Sequence, residues 1–393
     1  MPIKPSTEEI ARAAALIRAS RLVAFPTETV YGLGANAIDA EAVARIYAVK
    51  RRPATSPLIV HVASIEMAKS LVAHWPETAE RLAQKFWPGP LTLVLPAVHV
   101  ETRAETGLHV GTDAETRPGS VEARVNAKTA AFGAALGELA DPSLTRSSAI
   151  AIPAIVTAGL DTVGLRMPAH PVAIALIQAA GVPLAAPSAN RFTQLSPTTA
   201  EHVRRGLGDD VDCILDGGAC TIGIESTVLS LAGPHPILLR PGGISRTELE
   251  SVIGPIASVQ EAFGDEVPGG AHPSPGMHAR HYSPRTSLLL VSNGELPEKG
   301  KGIYLRYKNP ATHEADQSAH MSFAKRPSDD SSTRSRVQVI QMPLPAAEYA
   351  AALYEKLHQA DEANVDWIAV DITPPTPEWE AVQDRLRRAA TNK

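Results

Sequence analysis

The stretch "RLVAFPTETVYGLGANA", residues 21 to 37, sets Thr27, Glu28, Thr29 and Tyr31 between an apolar run and a pair of glycines. Leu22 to Phe25 reads as a short buried strand, and Gly32 and Gly34 as a turn. A plain strand-to-turn link needs no such density of hydrogen-bonding groups, so the cluster marks a binding surface. Further along, "VKRRPATSPLIVHVAS" groups Lys50, Arg51 and Arg52 ahead of Ser56 and His61. Cations at the end of a helix suit its dipole, and fixed guanidinium and ammonium groups also match phosphate oxygens. His61 lies in an apolar strand, where it is either a satisfied core residue or a ligand. "APSAN" ends another strand with Ser188 and Asn190 two apart, on one face if extended. "SPTTAEH" carries Ser196, Thr198 and Thr199, "GIESTV" carries Ser226 and Thr227, and "LLRPGG" carries Arg240. Hydroxyls, amides and cations thus gather at strand ends, where open α/β sheets bind ligands. With no evident covalent nucleophile or metal cluster, the pattern suits a polyanion and a small polar molecule, with catalysis by position and charge.

The usual motifs of nucleotide chemistry are missing. "GLGANA" fits G-x-G-x-x-A, but no acidic residue follows about 20 positions on, as a dinucleotide fold requires. There is no P-loop, no G-x-S-x-G and no H-E-x-x-H.

The elements around these residues alternate. A helix is expected over 7–19, opened by Ser6 and Glu9 as a capping box. A strand follows at 22–25, a helix at 39–49, a strand in "PLIVHVAS", a helix at 77–86 and a strand in "LTLVLPA". The rhythm breaks over about 99–150, a polar stretch read as a surface insertion. It resumes at "VGLRMPAHP", with a helix over 171–180 and strands in "VPLAAPSAN", "CILDGG", "STVLSLA" and "PILLRPG". Residues 261–285 are rich in Pro and Gly, a linker by composition. Three strands, a helix over 346–359, the strand "WIAVDI" and a final helix then make a second domain, with a loose polar stretch at 308–336. The expected fold is α/β: a twisted mixed open sheet with helices over 1–260, the linker 261–285, and a smaller Rossmann-like α/β domain over 286–393.

The chain has 393 residues, a formal net charge of −5, 44% hydrophobic residues and 4% aromatic, so the core must be mostly Ala, Val, Leu and Ile. The charge argues against wrapping nucleic acid by bulk attraction. Cys213 and Cys220, spaced for neither zinc nor a redox pair, are expected as buried reduced thiols. Without a secretory h-region or a run of about 18 apolar residues, the chain is expected in the cytoplasm, with no membrane span.

Taken in order, "PTETVYGLGANA", "KRRPATSPLIVHV", "FWPGPLTLVLP", "TAGLDTVGLRMP", "APSAN", "SPTTAEHV", "GIESTV" and "LRPGGIS" resemble the threonylcarbamoyl-AMP synthase (YrdC-like) family. "SPGMHARHYSP" resembles the linker of its long two-domain form. The resemblance implies a concave basic active-site face and a reaction of L-threonine, bicarbonate and ATP, with Mg²⁺, giving threonylcarbamoyl-adenylate and pyrophosphate. The product would pass to a tRNA threonylcarbamoyl transferase complex that makes N6-threonylcarbamoyladenosine at tRNA position 37; direct tRNA contact by this chain is not expected. Carried over by motif, Lys50 and Arg52 would neutralise the triphosphate. Ser56, Thr162, Ser188, Asn190, Ser196, Thr198 and Arg240 would line the nucleotide site. Thr29, His61, Arg166 and Ser226 would hold threonine, and Tyr282 would close over the nucleotide. Two departures stand out: the insertion of about 50 residues, and "ANRFTQLSPTT", which lacks the Ser-Gly that often follows "SAN". Two other readings are a carbamoyl transferase of the hydrogenase-maturation type and an RNA-binding module. The chain shows no acylphosphatase or zinc-finger-like module for the first, and few stacking aromatics for the second.

Overall fold

The side chains of Ser6 and Glu9 each accept from the other's backbone N–H as a capping box and open the helix Thr7–Arg18, which buries Ala13, Ala14 and Ile17. Asp39 accepts from the amides of Glu41 and Ala42 and starts the helix Ala40–Lys50. That helix stops where Arg51 turns left-handed, at φ 53°. Its end hands Arg52 to the loop that follows. The helices Glu77–Phe86 and Pro171–Ala180 also lie where hydrophobic periodicity puts them. The computed structural model describes residues 5–98, 150–264, 281–292, 294–307 and 336–390. All but the last residue of the expected insertion and of the polar stretch at 308–336, and most of the linker, lie outside them.

Ten strands form the first sheet: β1 (Val23–Phe25), β2 (Gly32–Asn36), β3 (Ile59–His61), β4 (Leu91–Pro96), β5 (Thr162–Arg166), β6 (Leu184–Ala185), β7 (Cys213–Ile214), β8 (Thr227–Ser230), β9 (Ile237–Arg240) and β10 (Ala257–Ser258). Their order is β10-β9-β8-β4-β5-β3-β6-β2-β1-β7. β3 with β5 and β4 with β8 run parallel, whereas β4 with β5 and β1 with β2 run antiparallel. The sheet is therefore mixed, as expected. Small and aliphatic side chains such as Ala24, Leu33, Val60, Leu93 and Leu165 fill its core.

Two expectations need correction. Gly32 and Gly34 are not a turn but part of β2, with Gly34 opposite Val23 and Gly32 opposite Phe25. Their missing side chains make room for Phe25, because a Cβ on Gly34 would stand 2.8 Å from its ring. The turn is the polar segment between the two strands. "VPLAAPSAN" is strand only at Leu184–Ala185. Pro183 and Pro187 have no N–H to give a ladder, so the rest of the segment is loop.

The second sheet holds β11 (Ser287–Val291), β12 (Lys301–Arg306), β13 (Arg336–Gln341) and β14 (Trp367–Asp371) in the order β11-β14-β12-β13, all parallel. The helices Ala346–Glu362 and Glu380–Ala390 supply Tyr349, Leu353, Tyr354 and Leu386 to its core. Val30, Leu195 and Ile224, from the loops of the first sheet, are buried in that same cluster. Each such side chain contributes about 1.5–3 kcal/mol when fully buried. The two sheets and the loops between them form one compact unit.

Candidate active site

The parallel register of β3 and β5 sets His61 beside Arg166, 105 positions apart in the chain. Arg166 is 4% exposed and three of its five N–H groups have protein partners. Nη2 donates to Glu28 Oε1 (2.7 Å), Nη1 to Thr29 Oγ1 (2.9 Å) and Nε to the Gly89 carbonyl (3.3 Å). The other oxygen of Glu28 accepts from the Ala169 amide at 3.0 Å. Thr27 Oγ1 donates to the Val30 carbonyl (2.7 Å) and lies 2.8 Å from Thr29 Oγ1. With the single Thr27 proton used, Thr29 donates to Thr27 and accepts from Arg166. The polar cluster of the β1–β2 link is thus a closed chain that turns the hairpin and fixes Thr29. Tyr31 belongs to a different contact, its hydroxyl donating to the Gly218 carbonyl at 2.7 Å.

On the other side of β5, Arg240 ends β9 and donates from Nε and Nη2 to the carbonyl and hydroxyl of Ser226, both at 3.1 Å. Ser226 Oγ also lies 2.8 Å from Thr92 Oγ1. The "RPGG" glycines allow this approach, since a Cβ on Gly242 would stand 2.3 Å from the Thr227 nitrogen. Arg52 donates to the carbonyls of Ser56 (3.3 Å) and Pro57 (3.1 Å), with its guanidinium 5.7 Å from the centre of the Phe192 ring. Burial pulls its pKa down to about 10, which leaves it cationic at neutral pH.

These segments wall one cleft of about 550 Å³, mouth included. Of the expected site residues it brings together Thr29, Arg52, His61, Arg166, Ser188, Ser226, Arg240 and Tyr282. Thr27, from the polar cluster named in the sequence, lines it too, as do Glu225 and His281, which the sequence did not single out. Three buried arginines, Arg52, Arg166 and Arg240, converge on this polar cleft. Among the described residues, His61 Nδ1 and the Tyr282 hydroxyl are buried without a hydrogen-bond partner. Two such atoms in one cleft point to a ligand, because a buried polar group left unsatisfied costs about 1–3 kcal/mol. Tyr282 holds a left-handed backbone, φ 59°, which a non-glycine residue keeps only where its surroundings impose it.

The remaining expected residues stand around the cleft rather than in its wall. Lys50 is fully buried behind the "SAN" loop, where Nζ donates to the carbonyls of Ser188 (2.5 Å) and Asn190 (2.6 Å). Burial, with Arg52 and Arg191 nearby, holds its pKa well below the usual lysine value. Asn190 donates to the Arg191 and Gln194 carbonyls and so braces the same loop. Ser196 donates to Glu225 Oε1 at 2.5 Å, and Thr198 faces His202 Nδ1 at 3.3 Å. Ser56 sits beneath Arg52, its carbonyl also accepting from Tyr47. Thr162 lines a neighbouring depression with Leu58, Thr92 and Val228, which shares Ile59 with the main cleft. Among the described residues, no group of three His, Cys, Asp or Glu is arranged to hold a metal ion. Cys220 is buried, Cys213 half-buried and both are free thiols; burial raises the pKa of each.

Glu225 and Arg385 carry structural charge that sequence reasoning missed, and Glu28, read there only as one of a hydrogen-bonding cluster, proves to be a buried ion-pair partner. Glu225 accepts from Arg385 at 2.7 Å, and burial, which would raise its pKa, is outweighed by the Arg385 and Arg240 cations, so the group is lowered and ionised. The one signal available was the acid lying inside each otherwise hydroxyl-rich motif, "PTET" and "GIEST".

Burial, followed by the Arg166 charge, pushes His61 down to about 3, and burial pushes His358 down to about 4. Both are neutral in the fold at neutral pH, yet titrate near 6.5 when unfolded. Stability is therefore lost as pH falls below 6.5, because only the unfolded chain takes up the protons. Between pH 7 and pH 5 each contributes a loss of about 2 kcal/mol. Urea midpoints across that range should show it, and His61→Asn should remove about 2 kcal/mol of the loss. An unchanged slope in that variant would refute the neutral assignment.

Family models match both parts of the chain. The model described as "Telomere recombination" matches residues 15–113 and 142–242, and the one described as "Threonylcarbamoyl-AMP synthase, C-terminal domain" matches 244–391. A threonylcarbamoyl-AMP synthase of Bacillus subtilis is 38% identical over 97% of this chain and 93% of its own. One of Pyrococcus abyssi is 36% identical over 96% and 93%. The solved structure of P. abyssi Sua5 complexed with L-threonine matches with a TM-score of 0.72 at 34% identity, covering 99% of this chain and 96% of that one. Both family models, the relatives and the shared two-sheet fold agree, and the chain belongs to the threonylcarbamoyl-AMP synthase family in its long form.

Proposed function

We propose that this chain is an ATP-dependent L-threonylcarbamoyladenylate synthase, a nucleotidyltransferase whose product serves N6-threonylcarbamoyladenosine formation in tRNA. The observation that carries this is the convergence of Arg52, Arg166 and Arg240 on one cleft with Thr29, His61, Ser188 and Ser226. The threonine amine adds to bicarbonate-derived carbon dioxide to give a carbamate. A carbamate oxygen then attacks the α-phosphorus and pyrophosphate leaves. Carbamate and triphosphate are both anions, so the work of the site is to align them and offset their repulsion. Arg166 and Thr29 hold the threonine carboxylate and hydroxyl end, using the two Arg166 N–H groups not engaged by Glu28, Thr29 and Gly89. His61 and Ser226 complete that pocket. Arg52 and Arg240 take the phosphates, with the depression at Thr162 extending the nucleotide side. Mg²⁺ arriving with ATP would help neutralise the triphosphate, while Glu28 and Glu225 stay paired with Arg166 and Arg385. Lys50, Asn190, Ser56, Ser196 and Thr198 act from behind, by fixing the loops.

In this proposal residues 1–260 form the catalytic domain, 261–285 the linker that brings Tyr282 over the nucleotide, and 286–393 the small C-terminal domain. No described helix is long and apolar enough to cross a membrane. We place the reaction in the cytoplasm, beside the transferase complex that consumes the adenylate.

Incubation with ATP, Mg²⁺, bicarbonate and L-threonine should release pyrophosphate that depends on both threonine and bicarbonate, with serine a poor substitute. Pyrophosphate release indifferent to threonine would overturn the proposal. Tyr282→Phe supplies a narrower check. Deleting a buried hydroxyl that has no protein partner should leave the melting temperature equal or higher, while raising the KM for ATP about tenfold, the worth of one hydrogen bond. A lower melting temperature with an unchanged KM would show that the hydroxyl serves the fold instead.

A further inference from the structure

Arg385 is the largest fully buried side chain among the described residues and stands 1% exposed on the C-terminal helix Glu380–Ala390. It is absent from the cleft wall, yet it touches three segments that form that wall. Nε donates to Glu225 Oε2 at 2.7 Å, and Glu225 precedes Ser226. Nη2 donates at 3.1 Å to the carbonyl of Pro241, which follows Arg240. Its guanidinium lies 5.0 Å from the centre of the Tyr282 ring. Tyr354, on the helix Ala346–Glu362, donates to the same Glu225 carboxylate at 3.1 Å. The close fit there has no slack, since Gly223 (φ 75°) lies where a Cβ would meet the Ala351 Cα at 2.6 Å. A second guanidinium is near: Arg240 bonds both the carbonyl and the hydroxyl of Ser226, the next residue after Glu225.

A buried carboxylate requires a cation. If Arg385 were removed, Arg240, whose charge also acts on Glu225, would be drawn toward that carboxylate and away from the cleft. Asp384 takes Nη1 of Arg385 at 2.7 Å, so the guanidinium is held from both sides and cannot itself swing toward a nucleotide.

We infer that Arg385 is a positioning residue for the nucleotide site, through which the C-terminal domain holds Glu225, Pro241 and Tyr282 in place and keeps Glu225 from capturing Arg240. The inference rests on the proposed role of Arg240 as a phosphate contact. It gives the C-terminal domain a task in catalysis that no surface contact would supply.

The test compares ATP dissociation constants, by calorimetric titration with MgATP, for the full-length wild type, Arg385→Met and Arg385→Met combined with Glu225→Gln. Arg385→Met should bind ATP at least tenfold more weakly, while the KM for threonine changes less than about threefold. Adding Glu225→Gln removes the competing carboxylate and should recover ATP affinity at least fivefold over the single variant. Glu225→Gln also relieves a stranded charge, so unfolding free energies are read on the same three proteins; ATP affinity that only tracks stability would mark a structural role and overturn the inference. Should Arg385→Met fail to fold, Arg385→Gln replaces it, keeping donors for Glu225 and Pro241 without the charge, and the same loss and rescue are expected. Unchanged ATP affinity in the folded single variant, or a double variant as weak as the single, would overturn the inference. ATP binding is read separately from turnover. A wild type that binds ATP but releases no threonine-dependent pyrophosphate therefore counts against the proposed function and leaves this comparison valid.

Discussion

Arg52→Ala is expected to lower kcat/KM for threonine-dependent pyrophosphate release by about a thousandfold, roughly 4 kcal/mol of transition-state stabilisation. Arg52 is 8% exposed, so its charge acts in a site from which much of the water is excluded. The carbonyls of Ser56 and Pro57 and the Phe192 face hold the guanidinium plane in advance of any substrate. The protein therefore pays little to reorganise when charge develops on the phosphates. The fold should survive the change, because the Ser56 carbonyl still accepts from Tyr47. Arg52→Lys should recover only part of the loss, since a point charge cannot reproduce a planar fork. Activity within tenfold of wild type in a natively folded Arg52→Ala protein would remove Arg52 from the catalytic set.

Arg166→Met is expected to act twice. The KM for threonine should rise about a hundredfold, as the carboxylate of the substrate loses charge-assisted hydrogen bonds. Stability should also fall by about 3–5 kcal/mol, because Glu28, 7% exposed, is left as a buried carboxylate without its cation. The two effects can be separated. Adding Glu28→Gln removes the stranded charge and should restore most of the unfolding free energy, but not the affinity for threonine. Chemical denaturation and steady-state kinetics on the same samples would show it. A folded double variant with a threonine KM within threefold of wild type would mean that Arg166 serves Glu28 alone.

The two arginines illustrate how far the sequence reaches. Both were legible as site residues, Arg52 from a cluster of cations ahead of a strand and Arg166 from its motif. The pairing of Arg166 with Glu28 and Thr29 was not legible. Glu28 and Thr29 lie in the β1–β2 turn, and only the parallel pairing of β3 with β5 carries Arg166 to them. Lys50 shows the converse. Its place at the end of a helix suggested a phosphate contact, but its side chain runs behind the loop that ends β6 and is used on that loop's carbonyls. A sequence displays a cation; it does not display which side of a loop the cation is on. Gly32 and Gly34 failed for the same kind of reason, since what decides their conformation is the Phe25 ring packed over them from the adjoining strand.

By itself the sequence determined the helices Thr7–Arg18, Ala40–Lys50, Glu77–Phe86 and Pro171–Ala180, the mixed α/β class, the second α/β domain and the placing of polar groups at strand ends. Those features rest on capping, periodicity and short apolar runs, which act over a few residues and leave their record locally. Only the tertiary structure decided which of those polar groups face one another across the cleft. It alone also paired the buried charges: Glu28 with Arg166, and Glu225 with an arginine 160 positions away. A buried ion pair is set by long-range register and by the exclusion of water, and neither leaves a periodic trace in the chain.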